Sequence, residues 1–357
     1  MKRILLLIES LGSGGAERQL SGLAVMLKAQ GYKVVVCYYI NRDFYRPFLQ
    51  KNSVESRFLE KAIKPRERFL VIKKYIKEYK PDTVVSYTAS PSMICCLLKL
   101  MGGKFKLIVS ERNTTQNLTL REKIRFNLYR YANCIVPNSH SQSSFIYKNF
   151  NYLSNKVTVI TNFVDTNKFS PSGVEMTGHE EIRMICVGRL MPQKNILHFI
   201  ETVSKVRNDG YKIKVDWYGQ DLEDAYSKEC HNAIQNYHLE GVFEFRAPST
   251  NIQDKYRGAD VFCLPSLYEG FPNVLCEAMS CGLPILCSRV CDNPSIISEG
   301  ENGLLFDPLN IDDMVSAIEK YLDLPIIRKK DMCSKSREIA VDVFSQDSFI
   351  EKYISII

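Results

Sequence analysis

The sequence is poor in the residues that most often announce a chemistry. Only five histidines occur in 357 residues and none precedes residue 140, so the first 139 residues hold no histidine base. His140, at an expected helix start, reads as a surface or capping residue. The 12 cysteines include no Cys-x-x-Cys pair. Cys276, Cys281, Cys287 and Cys291 are irregularly spaced with no neighbouring histidine, which speaks against zinc. Cysteine density is also far below that of a secreted disulfide scaffold. Cys37, Cys134, Cys186 and Cys263 lie inside apolar, strand-like runs, as buried thiols of a reducing compartment do. No run of about 18 apolar residues exists, the longest candidate at 93–101 being broken by Lys99, so no membrane-spanning helix is expected. The opening Met1-Lys2-Arg3 with Ile4 to Ile8 imitates a secretory leader, but five apolar residues before Glu9 fall short of the roughly 7–15 required. It reads as a first strand.

What is present is an ordinary globular balance, 45% hydrophobic and 24% charged. At about 150 residues per domain the length suggests two domains. The net charge of +7 hides an asymmetry: residues 1–170 hold 28 Lys and Arg against 11 Asp and Glu, and residues 171–357 hold 19 against 29. A basic first half suggests an anionic partner: nucleic acid, a phospholipid surface or a phosphorylated substrate.

Short β-branched runs alternate with amphipathic segments throughout. Strands are expected at 3–8, 33–39, 83–87, 106–110, 134–137 and 156–160, with helices at 16–30, 66–79, 91–100, 118–132 and 139–149. After Pro171-Ser172-Gly173 a polar stretch through Glu181 reads as a linker, and the alternation restarts. Strands are expected at 183–187, 213–218, 242–245, 261–264 and 284–287, helices at 195–208, 225–237, 253–257 and 274–281, and closing helices at 311–324 and 326–343. Such βα repetition predicts an α/β protein of two doubly wound, Rossmann-like domains, with ligand crevices at the carboxyl ends of their strands and chemistry in a cleft between them. The expected divisions are 1–170, 171–340 and a terminal helix, 341–357, packing back on the first domain.

Three loops carry the motifs. Gly12-Ser13-Gly14-Gly15-Ala16-Glu17 follows the first strand and opens a helix, where free N–H groups can meet a phosphate. As a dinucleotide fingerprint it fails: Glu17 replaces the third glycine and no acidic residue ends the second strand. A merely tight strand-to-helix turn is the other reading. At the matching place in the second half, Gly188-Arg189-Leu190 with Lys194 sets two cations at a helix mouth, an arrangement suited to a diphosphate whose charge grows as its ester bond breaks. The third loop is Glu269-Gly270-Phe271-Pro272-Asn273-Val274-Leu275-Cys276-Glu277. Its carboxylates stand eight residues apart, up to about 12 Å by helical rise. That exceeds the roughly 5–9 Å of a glycosidase pair acting on one bond. It suits two grips on an extended ligand such as a nucleotide sugar, with the helix N-terminus at Asn273 to Leu275 between them.

Gly14-Gly15-Ala16-Glu17-Arg18, Gly188-Arg189-Leu190 with Lys194, the Glu269-x7-Glu277 block with Gly282-Leu283-Pro284, the stretch Asn162-Phe163-Val164-Asp165 to Phe169-Ser170-Pro171, and Asn302-Gly303-Leu304-Leu305 together resemble the retaining glycosyltransferases of family 4, of GT-B fold. The resemblance spans essentially the whole chain, and its nearest members extend lipid-linked oligosaccharides for bacterial surface polysaccharides or glycans. It implies an acceptor-binding first domain and a nucleotide-sugar-binding second one. It implies that Glu269 holds donor sugar hydroxyls and Glu277 the ribose. Arg189 and Lys194 would neutralise the diphosphate, helped by backbone groups of Gly14, Gly15, Gly188, Gly270, Phe271, Asn273, Val274 and Leu275. The implied reaction is a front-face displacement in which the departing phosphate helps deprotonate the acceptor, with no protein nucleophile. Many members have a histidine after Ser-Glu at the end of a first-domain strand. Here the chain reads Ser110-Glu111-Arg112-Asn113, so orientation of donor or acceptor would pass to Glu111, Arg112 or Asn113.

The expected function is transfer of a sugar from a nucleotide sugar, taken as UDP-linked, to a saccharide acceptor on a polyprenyl diphosphate. The expected place is the cytoplasm, peripheral at the anionic inner face of the cell membrane. The helix at 66–79, with Lys73, Lys74 and Lys77 and the following Lys80 opposite Phe69, Ile72 and Ile76, favours such a surface, although its apolar face also suits a core. No cofactor or metal is expected, since no two aspartates flank a single residue. Two rivals are a polyanion- or nucleic-acid-binding protein using the basic half and an NAD-dependent enzyme. The first leaves Glu269 and Glu277 without a role and lacks a nucleic-acid motif.

Overall fold

The computed structural model describes residues 1–60, 64–115, 117–173 and 181–357. The chain divides into two compact units, one of Met1–Phe163 with Gln346–Ile357, the other of Val164–Ser345. Most of the expected linker, 174–180, lies outside the described residues.

The first unit begins with β1 (Arg3–Leu7), α1 (Gly15–Ala29), β2 (Lys33–Tyr38), α2 (Arg46–Lys51), β3 (Glu55–Phe58), α3 (Pro65–Tyr79), β4 (Thr83–Tyr87), α4 (Ala89–Leu100), β5 (Lys106–Glu111), α5 (Leu120–Leu128), β6 (Cys134–Pro137) and α6 (His140–Asn149). All strands are parallel, in the order β3-β2-β1-β4-β5-β6. Ile4, Leu5, Leu6 and Leu7 are buried, as an unbroken apolar run must be when helices cover both faces. Along α1, Leu20, Leu23, Ala24 and Leu27 fall on one buried face at helical spacing.

The second unit runs β7 (Ile182–Val187), α7 (Ile196–Asn208), β8 (Ile213–Tyr218), α8 (Ala225–Asn236), β9 (Phe243–Arg246), α9 (Ile252–Arg257), β10 (Val261–Leu264), α10 (Asn273–Ser280), β11 (Ile285–Ser288), α11 (Asn293–Ile296), β12 (Gly303–Phe306), α12 (Ile311–Leu322) and α13 (Ile326–Phe344). Its parallel sheet is ordered β12-β11-β10-β7-β8-β9, the same winding as the first. The chain then returns through α14 (Gln346–Ile356), whose Phe349, Ile350 and Tyr353 enter the first unit's core. In each sheet the winding reverses beside one strand pair, β1 and β4 or β7 and β10. Crevices form outside the carboxyl ends at such a switch point.

The crossings fall at Phe163/Val164 and Ser345/Gln346 rather than at 170/171 and 340/341. Val164 and Phe169 are buried in the second unit's core. The Val164 N–H donates to the Phe344 carbonyl at 2.8 Å, and Arg337 Nη1 donates to the carbonyls of Thr166 and Phe169. Two local expectations also change, and one segment holds elements that were not expected. Residues 46–58 hold a short helix and an edge strand; β3 contacts only β2 and is half-exposed, so its sequence carries no apolar alternation. The expected strand at 156–160 is instead an extended segment giving Thr158 N–H to the Ile135 carbonyl and Ile160 N–H to that of Pro137. Proline has no N–H to return, and the ladder stops. The helix expected at 118–132 is shorter, α5 passing into a 3₁₀ turn at Tyr129–Tyr131.

Candidate active site

Neighbouring parallel strands deliver their following loops to one edge, and this brings distant residues of the second unit together. The loop after β7 and the loop after β10 are stitched by the Leu267 N–H to the Gln193 carbonyl, 2.9 Å, and by Gln193 Nε2 to the Tyr268 carbonyl, 2.8 Å. Between them Lys194 Nζ pairs with Glu269 Oε1 at 2.6 Å, the two side chains only 13% and 10% exposed. At that depth the pair interacts more strongly than at a surface and costs more to desolvate.

Close backbone approach makes this possible. A Cβ at Gly188 would stand 2.8 Å from Cε of Lys194, so the lysine stem lies over the glycine, while a Cβ at Gly219 would stand 1.8 Å from the Gly188 carbonyl oxygen. Asn195, with φ at 58°, turns the chain into α7 and anchors its amide on the Pro308 carbonyl at 2.7 Å; asparagine tolerates this left-handed conformation better than most residues. A third loop, after β11, offers Cys291 Sγ to the Glu269 N–H at 3.4 Å.

The other expected residues of this unit divide by burial. Phe271 and Leu275 place their side chains in the core, Phe271 against the Phe344 ring at 5.7 Å between centroids, leaving only their backbone for a ligand. At the start of α10 the Asn273 N–H donates to the Phe271 carbonyl and the Leu275 N–H to that of Pro272. Among the described residues, Gly270, Phe271 and Val274 keep N–H groups without a backbone partner, so three of the five expected donors of this loop are open while those of Asn273 and Leu275 are engaged. Glu277, on α10, is 5% exposed and receives the Tyr256 hydroxyl at 3.5 Å. Arg189 is exposed and has no ion-pair partner among the described residues, unlike Lys194. Tyr256, Gln193 and Cys291 escaped the sequence reading, since a supporting tyrosine, glutamine or thiol carries no spacing signal.

The first unit uses its expected residues differently. At the start of α1 a Cβ on Gly14 would stand 2.3 Å from Oε2 of Glu17, and Ser10 Oγ donates to Glu17 Oε1 at 3.1 Å. Gly15 is the first residue of that helix. The turn thus holds a carboxylate of its own chain where an incoming phosphate was expected. Glu111, at the end of β5, is buried; Arg125 pairs with it at 3.3 Å and the Tyr129 hydroxyl donates to it. Burial raises its pKa above the ordinary carboxylate value, while Arg125 and Tyr129 oppose the rise. Arg112 is 8% exposed. Its guanidinium donates to Ser110 Oγ at 2.7 Å, Asn162 Oδ1 at 2.9 Å, Tyr87 OH at 3.1 Å and Tyr353 OH, and stacks over the Tyr87 ring at 4.4 Å. Glu111 and Arg112 are thus both bonded within their own unit, and of the three only Asn113 is exposed.

Two further concavities lie at the opposite, amino ends of the strands. One of about 550 Å³ is lined by Lys73, Lys77, Lys80 and Lys104, and one of about 820 Å³ by Arg183, Asp260, Gly282 and Arg337. Neither contains a motif residue of the strand-end loops. Burial raises the pKa of the Cys276 and Cys287 thiols, keeping them protonated. Among the described residues no three His, Cys, Asp or Glu side chains are grouped to hold a metal, and no helix is long and apolar enough to cross a membrane.

Two parallel doubly wound units, with a lysine–carboxylate pair at a switch point, define a GT-B type of transferase architecture. The model for glycosyltransferase family 4 matches residues 13–168, and that for glycosyl transferases group 1 matches residues 174–338. The chain belongs to the family 4 type of GT-B glycosyltransferases. A Campylobacter jejuni N-acetylgalactosaminyltransferase, named for a diphospho-undecaprenol-linked acceptor, is 24% identical over 92% of both chains. The amylovoran biosynthesis glycosyltransferase AmsD of Erwinia amylovora is 26% identical over 86% of both. In fold, HepE of Anabaena, solved in complex with UDP, superposes with a TM-score of 0.87 at 18% identity over 99% of both chains.

Proposed function

We propose that this glycosyltransferase moves a sugar from a UDP-sugar, with retention at the anomeric carbon, to a saccharide carried on a polyprenyl diphosphate during surface polysaccharide assembly. The observation that carries the donor half is the Lys194–Glu269 pair at the β7/β10 switch point. A diphosphate entering there competes with Glu269 for the ammonium group; the freed carboxylate then accepts from the sugar hydroxyls. Growing negative charge on the departing UDP meets Lys194, Arg189 and the open N–H groups of Gly270, Phe271 and Val274. Glu277, backed by Tyr256, receives the ribose. The departing phosphate takes the acceptor proton, and no metal takes part.

The acceptor half is supported by the relatives named for undecaprenol-linked substrates. The excess of lysine and arginine in the first half supports seating at the anionic inner face of the membrane.

A thermal-shift series with UDP, GDP and NAD tests the donor reading. UDP near 100 times its dissociation constant stabilises by about 2.7 kcal/mol. Stabilisation by NAD alone would turn the reading toward a dehydrogenase, and stabilisation by none of the three toward a polyanion binder.

A further inference from the structure

With Glu111 and Arg112 enclosed, the acceptor saccharide needs other partners in the first unit, and the winding of the sheet says where to look. The switch point lies between β1 and β4, whose chain continues into Glu9 and into Thr88. The Tyr39 hydroxyl, reaching over from the end of β2, lies 3.4 Å from Glu9 Oε1 as donor and 3.0 Å from Ser90 Oγ. Glu9 is half-buried. In a strongly basic unit its carboxylate has no ion-pair partner among the described residues, Arg68 being stacked over the Tyr39 ring at 5.0 Å instead, and the one side-chain hydrogen bond it receives is the long one from Tyr39.

A half-buried carboxylate is ordinarily matched by a cation or by several donors. This one is matched by neither, so its oxygens stay able to accept. Thr88 adds a second anomaly. Its φ and ψ are 70° and 168°, a conformation close to glycine's own and costly for a β-branched residue, and its Oγ1 is shielded from solvent without a hydrogen-bond partner. Two unsatisfied oxygens and two hydroxyls at one strand edge can meet a ligand rich in O–H groups. A phosphate would be repelled by Glu9, and an apolar ligand would leave the Glu9 carboxylate and the Thr88 hydroxyl unmatched, since Tyr39 and Ser90 already bond one another.

We propose that Glu9, Tyr39, Thr88 and Ser90 form the subsite that holds hydroxyls of the acceptor saccharide. Glu9 accepts from sugar O–H groups, while the Tyr39, Ser90 and Thr88 hydroxyls donate or accept as the sugar requires. The assignment rests on the glycosyl-transfer reading above.

Saturation-transfer NMR on the full chain tests it directly, with glucose, galactose, N-acetylglucosamine and N-acetylgalactosamine as probes at millimolar concentration and UDP present to fill the donor site. At least one sugar should receive saturation from the wild type. Glu9→Gln, which keeps shape and removes charge, should weaken that sugar about tenfold, as expected for a lost hydrogen bond to a charged group. Tyr39→Phe and Thr88→Gly should weaken it less. UDP stabilisation measured on the same samples should be equal in all four proteins. Unchanged sugar binding in Glu9→Gln overturns the assignment, as does a panel of which no sugar binds. If UDP fails to stabilise even the wild type, the functional reading falls, and the sugar data still judge the subsite.

Discussion

The ends of β5 in the first unit and of β7 and β10 in the second carry the same kind of side chain, a largely enclosed cation and a buried carboxylate, and use them in opposite ways. In the first unit Glu111 turns to Arg125 while Arg112 is gripped by residues from β4, β5, the 162 segment and α14. Four segments far apart in sequence are held by one guanidinium. In the second unit Lys194 and Glu269 belong to loops and hold one another. A ligand can replace either partner of that pair without dismantling a sheet, whereas displacing Arg112 breaks bonds to all four segments, the terminal helix among them through Tyr353. A polar group satisfied by scaffold stabilises; one satisfied by a single loop partner is available for chemistry.

The sharpest test of this contrast is Glu269→Gln, expected to abolish sugar transfer while UDP affinity stays near wild type, because the carboxylate is assigned to the sugar. Full transfer with lost UDP affinity would reverse the roles of Glu269 and Glu277. Lys194→Ala should lower turnover by about 10²–10³, the usual effect of removing one preorganised donor at developing charge. Turnover within twofold of wild type would show that the diphosphate lies elsewhere. Exposed Arg189 should cost less when changed to alanine, measured in the same assay.

Arg112→Leu should do the reverse of Lys194→Ala: UDP affinity unchanged, but stability lower by about 2–4 kcal/mol, as buried hydroxyls lose their donor. Urea denaturation reads the loss, and amide exchange should locate the loosening in α14. A stable variant with impaired UDP binding would place Arg112 in the donor site after all. A smaller effect concerns Glu111. Its pKa is raised in the folded protein, so the native state holds that proton more tightly than the unfolded chain does. Its contribution is present at low pH and is lost as pH rises from the ordinary carboxylate value through the raised one. The stability difference between wild type and Glu111→Gln should move against the wild type across that window, and a flat difference would refute the shift. The smallest expected effect is none: release of nucleoside diphosphate should be unchanged by EDTA at matched ionic strength. Activity lost in chelator and restored by Mn²⁺ would assign the charge neutralisation to a metal rather than to Lys194.

Much of this was legible from composition and order alone. Buried parallel strands carry short apolar, β-branched runs at their centres, so β1, β2, β4, β5, β7 and β10 announce themselves, and alternation with amphipathic helices specifies the two windings. The close approach of Gly188, Lys194 and Glu269 was suggested by the sequence because glycine- and proline-rich loops after strands are where backbone approach and charge are combined. Tertiary structure alone decided the rest. An edge strand such as β3 has one neighbour and no apolar alternation to reveal it, and the crossing at Phe163/Val164 depends on which core buries Val164 and Phe169. Whether a charged residue at a strand end serves a ligand or the scaffold depends on partners hundreds of residues away: the sequence places Arg112 beside Glu111, but only folding brings Tyr353 to it, 241 positions on. Electrostatic and hydrogen-bond energies depend on distance in space and on burial, and neither is a property of sequence separation.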